Sequence, residues 1–358
     1  MTRDSLLLLA TIGLLCACAS EDPPPAGTPD SAAARLEVVA ESARKWTGLS
    51  VDDAGQLWVN YPRWSADVPI SVARLDPQGD PQPFPDAAWN AWREGADPQR
   101  AWVCVQSVVV DRSNRLWVLD PGNPGFEGVV PGAPKLVRFD LPAREPAQVI
   151  SFAAPAITPA SYLNDVRLDL AHQRAYLTDS GAGALVVVAL TSGESRRLLA
   201  DHPATQAEAI ELKIQGVAFD RPVHADGIAY DPEGDQLYFQ ALRGRTLYRV
   251  AGAALRDPAL SPAELAQRVQ RVAESGASDG LLFHRGRVLV SALEHDAIRA
   301  VDPRTGEVET LVSDPRIAWP DTFSARPGAD HVLFTTAQIH LPEPRAPHRI
   351  FRLSLPPK

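Results

Sequence analysis

Residues 224–242 read "HADGIAYDPEGDQLYFQAL". A short apolar run (IAY) is followed by a cluster of turn residues (DPEGD) and then by a second apolar run (LYFQAL). This order predicts two antiparallel strands joined by a tight turn. Asp226 and Gly227 stand immediately ahead of the first strand. An aspartate there either forms a turn through its own side chain or points at a ligand.

The same arrangement recurs along the chain. Each copy has a short strand, a polar turn and a second strand with a large apolar residue near its start. The copies start at Leu49, Gln106, Asn164, Asp226, Asp279 and Asp321. Most copies continue into a third strand, such as TLYRVA (246–251), and several into a more polar fourth, such as EVETLVS (307–313). Six units of up to four strands, repeating about every 40–60 residues, predict an all-β, six-bladed β-propeller.

The last unit ends after its third strand. A strand-like segment, ARLEVVAES (34–42), precedes the first unit. We expect it to supply the outer strand of the sixth blade, because this closure removes an exposed sheet edge. The propeller domain is therefore predicted to span residues 34–358.

The N-terminus is predicted to be a targeting segment. One arginine precedes an apolar stretch, Leu6 to Leu15, which is too short to span a bilayer. It ends in Leu15-Cys16-Ala17-Cys18, which looks like a bacterial lipobox. We therefore expect a lipoprotein signal peptide (1–17), a lipidated Cys18, and a flexible tether (18–33) rich in Pro, Ala and Ser. The alternative is an ordinary signal peptide cleaved nearby. Ala19, rather than Asp, follows the cysteine, which favours the outer membrane, with the protein facing the periplasm.

Composition excludes several classes of protein. The 358 residues carry a net charge of −9 with no block of Lys or Arg, which argues against nucleic acid as a partner. Once Cys16 is removed and Cys18 lipidated, Cys104 is the only cysteine left, and we expect it to be a small buried apolar residue. The sequence has no phosphate-binding loop, no Cys-x-x-Cys motif and no Gly-x-Ser-x-Gly motif. We expect a monomer that contacts the membrane only through its lipid.

The first strands of a propeller line its central channel, so the residues just ahead of them are expected to meet at one channel mouth. These positions are Thr47 or Gly48, Gln106 or Ser107, Asn164 with Asp165, Asp226, Asp279 and Asp321. Four carboxylates brought together raise one another's pKa values or require a cation. Oxygen ligands suit Ca²⁺ or Mg²⁺. The alternative is that each aspartate only caps a turn.

Four stretches resemble the yellow/major royal jelly protein family, in a bacterial version: YLNDVRLDLAHQRAYLTDSGAGALVVVAL, NRLWVLDPG, DGIAYDPEGDQLYF, and WPDTF followed by TTAQIH. The resemblance covers most of the chain from about residue 36. It implies a six-bladed propeller. Insect members bind small ligands such as biogenic amines in the central channel or are linked to dopachrome chemistry.

The chain is more distantly similar to the gluconolactonase/senescence-marker family. Those propellers hold one divalent metal with a Glu, an Asn and an Asp, and a further Asp serves as base. The resemblance implies Asn164 and Asp226 as metal ligands. The glutamate of the first blade is absent, because Thr47-Gly48 stands in its place. Asp165 or Asp279 could compensate.

Further candidates lie near the same mouth. Asp279 and His224 are the candidate catalytic residues, since a ring aspartate could move a proton and histidine titrates near neutrality. The candidate ligand-binding residues are Gln106, Asp165, Asp321, Trp319 and His340. Packing between blades is the alternative for the aromatic side chains. The Pro-rich connection 77–101, with Trp89 and Trp92, is predicted to be a long loop that covers a channel mouth or lies on the rim.

Three functions fit these patterns. The first is a propeller that binds a small molecule in its channel without catalysis. The second is a metal-dependent enzyme, for lactone hydrolysis or dopachrome-type isomerisation. The third is a protein-interaction scaffold. The ring of acids favours the first two, and the missing glutamate favours the first.

Overall fold

The computed structural model describes residues 35–342 and 347–356. The predicted signal peptide, Cys18 and the tether lie outside the described residues. The first strand, β1 (Leu36–Ser42), precedes the first blade. None of the described helices is long and apolar enough to cross a lipid bilayer.

The strands form six four-stranded antiparallel sheets, which are the blades. The first blade comprises β2 (Leu49–Val51), β3 (Leu57–Asn60), β4 (Val72–Leu75) and β5 (Pro81–Pro83). The second comprises β6 (Ser107–Val110), β7 (Arg115–Asp120), β8 (Lys135–Asp140) and β9 (Gln148–Ser151). The third comprises β10 (Leu163–Asp169), β11 (Arg174–Asp179), β12 (Ala184–Ala189) and β13 (Ser195–Leu198). A small hairpin follows, formed by β14 (Lys213–Ile214) and β15 (Val217–Ala218).

The later blades repeat this order. The fourth comprises β16 (Ala225–Asp231), β17 (Gln236–Ala241), β18 (Thr246–Ala251) and β19 (Gln270–Glu274). The fifth comprises β20 (Ser278–His284), β21 (Arg287–Ala292), β22 (Ala297–Val301) and β23 (Val308–Ser313). The sixth comprises β24 (Pro320–Ser324), β25 (His331–Thr336), β26 (His348–Ser354) and β1. The first strands of neighbouring blades contact one another around a closed circle. The prediction of six blades around a central axis is therefore confirmed.

The N-terminal strand closes the sixth blade, as predicted. β1 pairs antiparallel with β26, from Leu36 opposite Leu353 to Ser42 opposite His348. Leu36 is buried in the core that Phe334 and Phe351 also form. Burying a large apolar side chain stabilises the fold by about 1.5–3 kcal/mol, so this strand contributes core packing as well as edge protection.

The polar turns of the first three blades explain why each second strand carries a large aromatic residue. In the first blade, Asp52 accepts a hydrogen bond from the Trp58 indole at 3.1 Å. In the second, Asp111 accepts one from the Trp117 indole at 2.8 Å. In the third, the Tyr176 hydroxyl donates to an aspartate at 3.1 Å. The aspartate thus closes the turn and pairs the polar atom of a ring that is otherwise buried.

Three short α-helices accompany the blades in the described part of the chain. They are α1 (Ala87–Asn90), α2 (Gly252–Arg256) and α3 (Pro262–Ala266). The connection 77–101 is not a simple loop. It contains β5 and α1, and Trp89 packs on Trp102 with ring centroids 4.6 Å apart. β5 consists of one glutamine between two prolines. Proline is rare inside strands, so the sequence did not predict this one.

Candidate functional site

The acids predicted to precede the first strands lie inside them, as part of β-bulges. In the third to sixth blades, two residues of the first strand oppose one residue of the second, and the register shifts around Asn164-Asp165, Asp226-Gly227, Asp279-Gly280 and Asp321-Thr322. The first strands of the first two blades pair in continuous register. A bulge adds a residue and redirects its side chain. The four aspartates, Asp165, Asp226, Asp279 and Asp321, form the acidic ring.

The glycines after Asp226 and Asp279 have a packing role. A Cβ atom on Gly227 would lie 2.3 Å from the Asp279 backbone oxygen, and one on Gly280 would lie 1.8 Å from the Asp321 backbone oxygen. Neither glycine adopts a positive φ. The Asp-Gly pairs are therefore not tight turns. Glycine lets neighbouring inner strands approach closely while the aspartate belongs to the ring.

Hydroxyl groups on the second strands hold the bulges in place. Thr178 accepts a hydrogen bond from the Asp165 backbone and donates to the Asp226 carbonyl at 2.7 Å. Ser291 accepts from the backbone N–H groups of Asp279 and Gly280. Sequence reasoning missed these residues. The signal that could have found them is a Ser or Thr near the end of each otherwise apolar second strand, as in YLTD, VLVS and LFTT.

Asp226 and Asp279 form a carboxyl pair at the centre of the ring. A hydrogen bond between the two carboxyl groups favours the protonated form of Asp226 and the ionised form of Asp279. Asn164 donates to Asp226 Oδ2 at 2.8 Å. Burial, followed by the charges of Asp279 and Asp165, holds the pKa of Asp226 well above its usual range. Burial also raises the pKa of Asp279 to about 7, against the hydrogen bond from Trp319.

Asp321 and Asp165 differ in their partners. Asp321 Oδ1 accepts from Thr322 at 3.2 Å, but its buried Oδ2 has no hydrogen-bond partner among the described residues. Burial and the charges of Asp279 and Asp165 raise the pKa of Asp321 well above its usual range. Asp165 accepts from Ser107 at 2.8 Å and pairs with Arg167 at 3.2 Å.

Arg167 crosses the channel beneath the ring. It lies on β10 of the third blade, and it donates to the Leu281 carbonyl of β20, in the fifth blade, at 2.8 Å. The bond skips the fourth blade, so the guanidinium reaches across one side of the channel. It is the one cationic side chain of the described residues that forms an ion pair with the acidic ring.

The first two blades contribute neutral groups. Gln106 Oε1 accepts from the Tyr162 hydroxyl at 2.8 Å. Thr47 is fully buried and accepts from Asn60 at 2.9 Å. A Cβ atom on Gly48 would lie only 2.0 Å from Asn60 Oδ1. A side chain at position 48 would therefore require Asn60 to move, and the acids of the mouth are concentrated in the third to sixth blades.

The remaining predicted site residues lie behind or beside the ring. Trp319 is fully buried and donates its indole N–H to Asp279 Oδ2 at 2.6 Å, so it supports an acid instead of facing a ligand. The His340 imidazole stacks on Trp319 with ring centroids 5.9 Å apart. His224 Nδ1 accepts from the Ala207 backbone at 3.0 Å, and burial lowers the pKa of His224.

A second acidic cluster lies at the opposite end of the third and fourth blades. Asp169, His172 and Asp235 each offer a ligand atom within 4.8 Å of the others. Arg256 already occupies their centre, 3.0 Å from Asp169 and 2.8 Å from Asp235. These four residues form the foot cluster. Because Arg256 pairs with both carboxylates, the foot cluster is a structural ion-pair network.

Buried Cys104 fits the role expected from the sequence. Its Sγ lies 3.7 Å from the Tyr162 hydroxyl, and burial raises the pKa of its thiol to about 12. A thiol with this pKa stays protonated and is a poor nucleophile.

Known propellers share this architecture. The calcium-binding protein regucalcin from Agrobacterium tumefaciens superposes with a TM-score of 0.56 at 14% identity, over 89% of this chain and 94% of that one. A gluconolactonase from Xanthomonas campestris superposes with a TM-score of 0.54 at 16% identity, over 90% and 89% of the two chains. At such identities the likeness shows the fold alone.

Sequence comparison adds the family. Major royal jelly protein 6 of Apis mellifera is 26% identical over 177 residues, which is 47% of this chain and 39% of the relative. The match thus spans about two fifths of that relative's length. The family model described as "Major royal jelly protein" matches residues 103–326, more than half of the chain. The protein therefore belongs to the major royal jelly protein family.

Proposed function

We propose that the protein binds a small molecule at the mouth of its central channel, together with a divalent cation, Ca²⁺ or Mg²⁺. One observation carries the proposal. Asp226, Asp279 and Asp321 converge in a buried ring, and none of them forms an ion pair with a cationic side chain of the described residues. Buried carboxylates in this state need either protons or a cation.

The donor set fits a hard cation. The ring offers carboxylate oxygens, and Asn164 adds an amide oxygen, because its amino group already donates to Asp226 and Ser180. Oxygen-only sites suit Ca²⁺ and Mg²⁺. We therefore assign Asn164 and Asp226 as the first ligands to test. A glutamate at position 48 would displace Asn60, and Asp165 or Asp279 would supply the missing negative charge.

A metal-dependent enzyme is the second candidate, favoured by the pKa of Asp279 near 7. General acids and bases work best when their pKa lies close to the ambient pH. The cation would polarise a substrate oxygen, and Asp279 would accept or donate the proton during lactone hydrolysis or isomerisation. If this holds, Asp279→Asn abolishes turnover while ligand binding persists. Turnover that survives this substitution excludes Asp279 as the base.

Calorimetric titration of the purified chain with Ca²⁺ and Mg²⁺ tests the proposal. We expect binding by the wild type and a large loss of affinity in Asp226→Asn. The matched control is Asp231→Asn, at the other end of the same strand, where the side chain caps an exposed turn. It should bind as the wild type does. Absence of cation binding by the wild type, or equal affinity in both variants, overturns the cation part of the proposal.

Ligand screening by thermal shift, with and without Ca²⁺, tests the small-molecule part.

The location is a separate proposal. We propose that Cys18 carries lipid and anchors the domain in the cell envelope, as a monomer that has no nucleic-acid partner. Cys18→Ser should then move the protein from the membrane fraction to the soluble envelope fraction. Unchanged fractionation would argue against the anchor.

A further inference from the structure

Three aromatic side chains pack in a row at the mouth end of the first three blades. The Trp64 and Phe126 ring centroids are 5.3 Å apart, and those of Phe126 and Tyr162 are 5.1 Å apart. We name Trp64, Phe126 and Tyr162 the aromatic wall. Phe126 is 47% exposed, which is unusual for a large apolar side chain in this protein. The exposed part of the Phe126 ring can contact a planar ligand through its edge or by offset stacking.

Hydrogen bonds connect the aromatic wall to the channel mouth. The Trp64 indole donates to the Tyr162 hydroxyl at 2.7 Å, and that hydroxyl donates to Gln106 Oε1 at 2.8 Å. Gln106 is the second blade's contribution to the mouth. A ligand stacked on Phe126 would therefore lie next to the channel opening.

Two cationic side chains flank the wall from different blades. Lys45 Nζ lies 5.7 Å from the centroid of the Trp64 ring, and Arg221 Cζ lies 5.5 Å from that of Phe126. Neither forms an ion pair with a carboxylate of the described residues. Burial and the nearby Arg221 guanidinium lower the pKa of Lys45, and the Asp321 charge opposes that shift. The two cations are thus close enough to repel each other, and an anion between them would relieve that repulsion.

We propose that the channel mouth selects a small planar aromatic carboxylate. Its ring stacks on the aromatic wall, and its carboxylate pairs with Lys45 and Arg221. The inference rests on the proposed ligand-binding function and specifies the ligand's chemical class. An aromatic amine bound in the same orientation would place its positive charge beside two cations, so this site disfavours it.

Three probes of matched shape test this class: indoleacetate, tryptophol and tryptamine, which carry a negative, a neutral and a positive group on the same ring. Calorimetry should rank their affinities in that order. Lys45→Met and Arg221→Gln should each weaken indoleacetate binding about tenfold, the effect of losing one charge-assisted contact. Both should leave tryptophol binding unchanged. Arg112→Gln, which removes an exposed charge at the far end of the second blade, is the control.

The outcomes separate this inference from the proposed function. Tightest binding by tryptamine, or no binding of any probe, overturns the anion selectivity. Equal loss of all three probes in Lys45→Met also overturns it, because that pattern reports a structural defect. Measurements in chelator and in Ca²⁺ keep the two proposals distinct. Indoleacetate binding that persists in chelator supports the anion site even if the cation proposal fails.

Discussion

In the third and fourth blades the acidic ring and the foot cluster lie at opposite ends of the blade, yet the two sites stabilise their aspartates in opposite ways. At the foot, burial favours the neutral form of Asp235, but hydrogen bonds from Arg256 and the Tyr230 hydroxyl outweigh it and lower the pKa of Asp235. At the mouth, burial and neighbouring acids raise the pKa values of Asp226 and Asp321. The foot cluster carries its own cation, whereas Asp226, Asp279 and Asp321 depend on protons or on a cation from outside. Acid content alone therefore does not identify a binding site.

Removing the cation from the foot cluster should produce the largest loss of stability. Arg256→Met leaves Asp169 and Asp235 without their arginine, and breaking a buried pair costs about 3 kcal/mol or more. The lowered pKa of Asp235 stabilises the wild type above the ordinary aspartate pKa. The deficit should therefore be full near neutral pH and shrink as the pH falls below about 4.

Chemical denaturation across this pH range measures the effect. Arg304→Met, which removes an exposed arginine paired with Asp302, is the control and should change little. A similar, pH-independent change in both variants would show that the foot cluster is not a stabilising ion-pair network.

Arg167 is the mouth's nearest counterpart of Arg256, and its removal should have a mixed effect. Arg167→Met leaves Asp165 with only the Ser107 hydroxyl, which should cost about 2–3 kcal/mol of stability without cation. The same change makes the ring more negative, so Ca²⁺ should bind severalfold more tightly. Calorimetry measures the Ca²⁺ affinity, and chemical denaturation measures the stability. Arg174→Met, at the other end of the hairpin, is the control. Weaker Ca²⁺ binding would contradict a cation site beside Asp165.

Neutralising a ring acid should stabilise the cation-free protein, whereas neutralising Arg256 in the foot cluster should destabilise it. The raised pKa of Asp226 favours folding only at low pH, and that support is lost as the pH rises from about 4 through the folded-state pKa. Asp226→Asn removes this penalty. We expect a gain of about 2 kcal/mol near neutral pH in chelator, vanishing near pH 4. A loss of stability at neutral pH would show that Asp226 is a structural hydrogen-bond acceptor.

The sequence predicted the blades well because each blade is a local pattern. Alternating apolar runs and turn residues fall within a few tens of residues, and the closing strand followed from an unfilled edge. The acids of the ring were predicted because the repeat assigns them equivalent positions. Asp226 was recognised by its place in the unit and not by its neighbours.

The parts that the sequence did not predict depend on contacts between distant segments. Arg167 resembles an ordinary polar residue of an alternating strand, and only the closed circle brings it to Leu281. The bulges add one residue without changing the apolar pattern. Lys45 and Arg221 are more than 170 residues apart, and their shared position beside the aromatic wall arises only from the assembled propeller.

The smallest effect should come from substituting Trp319, whose indole N–H changes the pKa of one acid of the ring. Its φ of 60° is rare for a bulky residue, and its indole N–H donates to Asp279 at 2.6 Å. That bond lowers the pKa of Asp279, so Trp319→Phe, which keeps a ring but removes the donor, should raise it by roughly one unit. Cation binding that needs ionised Asp279 should then require a higher pH. Ca²⁺ affinity measured against pH should show its midpoint displaced upward by that amount. Trp46→Phe is the matched control, because Trp46 is equally buried and its indole N–H has no partner among the described residues. Identical midpoints in the two variants would show that the ionisation of Asp279 does not control Ca²⁺ binding at the mouth.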